Sequence, residues 1–138
     1  MVNVAVDAMG GDNAPYEVVK GAIQALNENS SIKVWLCGVK EDMEKALSGL
    51  LDPYDTDRLK LVECSEVIET GEPPVNAIRK KKDSSIVKGL SLVKDGSCDA
   101  FVSAGSSGAV LVGGQFIVGR IKGVSEAGGG VKVILVND

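Results

Sequence analysis

Along this chain, short apolar runs alternate with longer segments in which apolar residues recur every three or four positions. Residues 2–6 form a β-branched run closed by Asp7 and the turn-forming Met9-Gly10-Gly11-Asp12, which predicts a buried strand entering a loop. Asn13 offers a helix cap and Pro15 suits a first helical turn. Val19, Ala22, Ile23 and Leu26 then share one helical face until Asn27 and Asn29 interrupt it. The same pair of patterns repeats, a strand over 32–37 and a helix over 41–47 with Met43, Ala46 and Leu47 inward. A third strand is predicted over 58–63. Glu72-Pro73-Pro74 imposes an extended or turn conformation before a helix through Val75, Ile78 and Arg79. Either Ser84 or Ser85 caps a further helix that reaches Val93 and stops at Asp95-Gly96. Residues 100–102 predict another strand, and 109–118 a helix that Gly113 and Gly114 weaken by about 1 kcal/mol each relative to alanine.

This alternation argues for an α/β fold of three layers, α/β/α, around a mostly parallel sheet. The last stretch differs in character. Ala127-Gly128-Gly129-Gly130 reads as a linker and 131–136 as a terminal strand, expected to join the same sheet. The organisation predicted is thus an α/β portion over 1–125 followed by a linker and strand over 126–138.

Composition narrows the chemistry. With 138 residues and 44% hydrophobic composition the chain can bury one ordinary core, and a net charge of −4 gives no basic field to attract nucleic acid or anionic lipid. Cys37, Cys64 and Cys98, odd in number and widely spaced, read as reduced thiols and small buried hydrophobes. The absence of histidine removes Ser-His-Asp and Cys-His catalysis and the usual zinc sites, so no metal is expected. Carboxylates, Lys or Arg, hydroxyls and backbone amides remain. Since 2–6 is strand-like, with no basic-then-apolar leader, and the apolar stretch over 108–118 falls short of the ~20 residues of a membrane span, a soluble cytoplasmic protein is expected.

In a parallel sheet, ligands collect beyond the carboxyl ends of the strands, and both glycine loops sit at such ends. Ser103-Ala104-Gly105-Ser106-Ser107-Gly108 offers the hydroxyls of Ser103, Ser106 and Ser107, with Gly105 and Gly108 letting amides approach a phosphate. The first loop offers Asp7 and Asp12 as candidate catalytic carboxylates that position a nucleophile, while Gly10 and Gly11 keep the approach open. Neither loop carries the glycine patterns of nucleoside-triphosphate or dinucleotide sites, nor that of a serine nucleophile. Each loop alone reads equally well as a tight βα turn.

Taken together, the two loops resemble a known family. Ala5-Val6-Asp7-Ala8-Met9-Gly10-Gly11-Asp12-Asn13-Ala14-Pro15 is similar to the opening signature of the PlsX phosphate acyltransferases, and Ser103-Ala104-Gly105-Ser106-Ser107-Gly108-Ala109 to their second one. Glu72-Pro73, the run from Arg79 to Ser85 and the run from Phe116 to Gly123 resemble the family in wording and order, so the resemblance covers 2 to about 125. It implies a fold akin to isocitrate and isopropylmalate dehydrogenases and to phosphotransacetylase, no cofactor, and dimerisation. It also implies transfer of a fatty acyl group from acyl-carrier protein to inorganic phosphate, at the start of phospholipid synthesis. Peripheral membrane contact is implied only for the full-length family.

Two departures bear on this. Ser107 stands where the family usually has threonine, keeping the hydroxyl. Family members also run well beyond this length, and the segment from Ala127 does not read as their continuation. A truncated or engineered non-catalytic fragment, or a small anion-binding module, therefore stands beside the enzyme reading. Arg79, Lys80, Lys81 and Lys82 are the one basic cluster, read either as a site for phosphate or the acidic surface of acyl-carrier protein or as a solvated helix end. Arg120 and Lys122 carry the same ambiguity.

Overall fold

β-branched and aliphatic runs favour extended backbone with both faces covered, and four of them pair here as one all-parallel sheet. In the computed structural model, which describes residues 1–119, β1 (Val2–Asp7) runs beside β2 (Ile32–Gly38), with Val2 opposite Ile32 and Asp7 opposite Cys37. β3 (Leu59–Glu63) flanks β2, and β4 (Ala100–Val102) flanks the other side of β1, giving the order β3-β2-β1-β4. Arg120, Lys122, the linker and the strand expected over 131–136 lie outside the described residues.

Strand alternation sends even and odd residues to opposite faces. Val34 and Leu36 meet α1 (Tyr16–Glu28) and α2 (Lys40–Ser48), burying Val19, Ala22, Ile23, Leu26, Met43 and Ala46. On the other face Ala5 and Cys37 join Cys64 and Cys98 beneath α4 (Ser85–Lys94), through Leu92 and Val93. α3 (Pro74–Lys80) and α5 (Ser107–Gly113) pack against α4 through Ile78, Ile86, Leu90 and Ala109. The three layers follow from these two apolar faces.

Several local expectations need correction. Asn13 does not cap α1; Pro15 occupies that position, and Asn13 contributes only its backbone carbonyl, which accepts from Glu17 N at 3.1 Å. β3 begins at Leu59 because Arg58 closes a tight turn over Thr56–Arg58, where its guanidinium donates to the carbonyls of Leu26, Asn29 and Ile32. The last helix starts two residues earlier than expected, since the Ser106 hydroxyl accepts from Ala109 N at 3.2 Å. It then widens into a π turn over Gly114–Val118, ending at Gly119 with φ 91°. The paired glycines Gly113 and Gly114 fall where the two windings meet.

Candidate functional site

β1 and β4 are neighbours, yet β1 leads to α1 on one face of the sheet and β4 leads to α5 on the other. Chains diverging to opposite faces leave a crevice between them, the usual ligand position in open α/β sheets. The loops over 8–15 and 103–106 border it.

Beneath the two loops lies Asp7, only 2% exposed. Its Oδ1 accepts from the Ser85 hydroxyl at 2.6 Å and the Met9 amide at 3.0 Å, and its Oδ2 accepts from the Ser103 hydroxyl at 2.8 Å. Ser103 Oγ in turn accepts from the Gly105 amide at 3.0 Å. Gly10 and Gly105 close over the carboxylate, for an ideal Cβ on Gly105 would stand 3.2 Å from both Asp7 Oδ2 and Gly10 Cα. Ser85 opens α4, whose cap is the neighbouring Ser84 hydroxyl accepting from Val87 N at 3.2 Å. The amide-rich end of α4, which favours negative charge, therefore adjoins Asp7.

The other predicted site residues divide between surface and interior. Asp12 is exposed at the first loop's tip, beside Gly11, whose φ of +114° is one that side chains rarely adopt. Among the described residues no acceptor takes the amides of Gly11 or Asp12. In the second loop, Ser106 is buried as the α5 cap and Ser107 is exposed. Gly108 backs onto Pro74, where a Cβ would lie 2.8 Å from Pro74 Cγ. The amides of Ser107 and Gly108, in the first turn of α5, have no partner within that helix. The Ser103 hydroxyl and Gly105 amide, by contrast, are spent inside the fold.

Four adjacent cations proved not to act alike. Pro74, at the start of α3, meets Gly108, so Arg79–Lys82 lies toward the other end of that helix. Lys81 Nζ donates to the Val67 carbonyl at 2.7 Å and pairs with Glu72 at 2.8 Å, holding the Glu72 carboxyl below its ordinary range. Arg79, Lys80 and Lys82 are exposed. Beyond them Asp83 accepts from the Ser65 hydroxyl and amide and pairs with Lys88 at 2.9 Å. Chiefly through Ser65, and then Lys88, its carboxyl is pulled down to about 2.

Ser85 is the site residue that sequence reasoning undervalued. The signal was present, since one hydroxyl of Ser84-Ser85 suffices to cap α4 and the other is left seeking a tertiary partner.

Phosphate acyltransferase from Clostridium tetani is 50% identical over 125 residues, covering 91% of this chain and 37% of the relative. The phosphate acyltransferases of Caldicellulosiruptor bescii and Caldanaerobacter subterraneus are 48% and 50% identical over the same length. The chain thus spans little more than a third of the length of the curated relatives it matches. A family model described as fatty acid synthesis protein matches residues 2–132, nearly the whole sequence, and the chain belongs to that family, the phosphate acyltransferases that its two loops resemble.

Proposed function

We propose that the crevice between the two glycine loops is the phosphate subsite of an acyl-transfer centre. The observation that carries this is the pair of amide sets without an acceptor among the described residues, Gly11 and Asp12 on one loop and Ser107 and Gly108 on the other, at adjoining strand ends. In the reaction, a phosphate oxygen forms a bond to the carbonyl carbon of an acyl thioester. The carbon–sulfur bond breaks, and sulfur leaves as a thiolate that takes up a proton. Loop amides offset the charge on phosphate and on the tetrahedral oxyanion. Asp12, the exposed carboxylate, orients a protonated phosphate oxygen.

Acyl-carrier protein is the donor we assign, docking its acidic surface on Arg79, Lys80 and Lys82, and the acyl-phosphate formed feeds phospholipid synthesis. The setting is the cytoplasm, with homodimerisation and any peripheral membrane contact belonging to the full-length protein. Support comes from the match to phosphate acyltransferases and the exposure of those three cations. Because the chain spans about a third of those relatives, turnover by it alone is expected to be negligible beside a full-length relative. The test is acyl-phosphate formation from acyl-carrier protein thioester and inorganic phosphate by the full-length relative, wild type and with the equivalent of Ser107 replaced by alanine. An unchanged rate in that variant would remove the hydroxyl from the site. Phosphate titration of the present chain, reported by amide shifts at Gly11, Asp12, Ser107 and Gly108, tests the subsite itself.

A further inference from the structure

The deepest polar cluster among the described residues joins three distant segments around Asp7, and none of its hydrogen bonds is directed at the crevice. Ser85 lies 78 residues from Asp7 and Ser103 lies 96. Both carboxylate oxygens are occupied, and Gly10 and Gly105 roof them. An anion at the loops has no route to this carboxylate and would be repelled by it.

What Asp7 does fix is a direction. A carboxylate only accepts, so the Ser103 hydroxyl must donate toward Oδ2, which leaves Ser103 oxygen to accept from the Gly105 amide. That sequence of bonds turns Gly105 N–H inward and pins the second loop between β4 and α5. The amides of Ser107 and Gly108 follow from that pinned point.

We propose that Asp7 is a positioning residue, acting through Ser103 and Gly105 to hold the second loop in the geometry an anion requires without meeting the anion. This rests on the phosphate subsite assigned above. Asparagine has nearly the shape of aspartate but presents an N–H group on one side. If Asn keeps its oxygen toward Ser85 and Met9, its nitrogen donates to Ser103, so the Ser103 hydroxyl loses its acceptor and must turn away, and its oxygen has to accept from that nitrogen and from the Gly105 amide at once, which shifts it off the Gly105 N–H.

The test uses the 15N-labelled chain with Asp7→Asn, Ser103→Ala, Ser103→Thr and, as a control for general destabilisation, Ile23→Val in the far-face core. Without ligand, Gly105 amide exchange should accelerate about tenfold, the scale of one lost hydrogen bond, in Asp7→Asn and Ser103→Ala. Ser103→Thr, keeping the hydroxyl, should restore protection, and Ile23→Val should leave the second loop as it was. With inorganic phosphate, affinity should fall about tenfold in the first two variants, again one hydrogen bond's worth, and hold in the control. Should Asp7→Asn fail to fold, Ser103→Ala decides. Unchanged Gly105 exchange in folded Ser103→Ala, or equal loop loosening in Ile23→Val, overturns the proposal. If wild type binds no phosphate, the subsite reading falls, while Gly105 exchange still decides the positioning role.

Discussion

Gly10 has no room for a side chain beside Asp7: an ideal Cβ would lie 2.5 Å from Asp7 Oδ2 and 2.7 Å from the Gly105 amide nitrogen. One neighbour is a buried, hydrogen-bonded carboxylate and the other is backbone, so neither can swing aside. Gly10→Ala should therefore destabilise the fold by about 1–3 kcal/mol, the usual scale of overpacking. Gly21, inside α1, would place a Cβ with nothing within 4 Å, and Gly21→Ala should stabilise by about 0.5–1 kcal/mol. Urea midpoints of the two variants should move in opposite directions. A stable Gly10→Ala would mean that the loops do not close over Asp7.

Cys37, Cys64 and Cys98 are each at most 3% exposed, and burial raises all three thiols, Cys64 and Cys98 to about 11 and Cys37 further. Thiolate is the reactive form, so native protein at neutral or mildly alkaline pH should resist an aromatic disulfide reagent until denaturant is added. Rapid stoichiometric labelling of any one thiol without unfolding would contradict its place beneath α4.

Asp83 sets an acid dependence. Its carboxyl is lowered from an ordinary 3.8 to about 2, first by the Ser65 hydroxyl and then by Lys88. A depressed folded value means that its stabilising effect is complete above the unfolded value and is lost as pH falls from about 4 through 2. Asp83→Asn should thus be less stable than wild type at neutral pH, with the gap closing across that acid window. Chemical denaturation at a series of pH values reads this directly, and a gap that persisted at the acid end would assign the effect to hydrogen bonding alone.

Capping gives a local measure. Ser84 is fully buried and its hydroxyl satisfies Val87 N at the start of α4, as Ser106 does for Ala109 N in α5. Alanine at either should cost about 1 kcal/mol and glycine only a few tenths. Equal losses for alanine and glycine in denaturant titrations would show that the buried volume, and not the cap, is what matters.

Strand and helix periodicity made the described fold readable from sequence, because each strand is dominated by aliphatic, β-branched and aromatic residues, with Asn3, Lys33 and Lys60 as single interruptions, and the longer helices each have one apolar stripe. The face of α1 carrying Val19, Ala22, Ile23 and Leu26 is buried as its spacing requires. Helix starts were less readable. Asn13 and Pro15 both suit a helix entry, and which one takes the cap depends on the path of the loop from β1, a tertiary matter. The site was legible as two loops and not as a hydrogen-bonding pattern. Nothing in the order Ser103-Ala104-Gly105 tells that the hydroxyl turns inward, since that follows from Asp7 lying on the neighbouring strand. Likewise the run from Arg79 to Lys82 gives no sign that Lys81 alone is claimed, because its partners Glu72 and Val67 are brought to it by the turn before α3.

The strand order has a consequence for assembly. β1, β2 and β3 lie within the first 63 residues and pair with their sequence neighbours, whereas β4 must return across nearly the whole described chain to reach β1. Pairings close in sequence carry the smaller loop-closure cost, so the three-strand unit can form while Asp7 still awaits both hydroxyls. During synthesis that unit leaves the ribosome first, with the Asp7 carboxylate on its open flank matched only by the Met9 amide. Ser85 and Ser103, supplied by the later α4 and the loop after β4, then bring the two missing hydroxyls, which ties completion of the sheet to completion of the polar cluster beneath the loops.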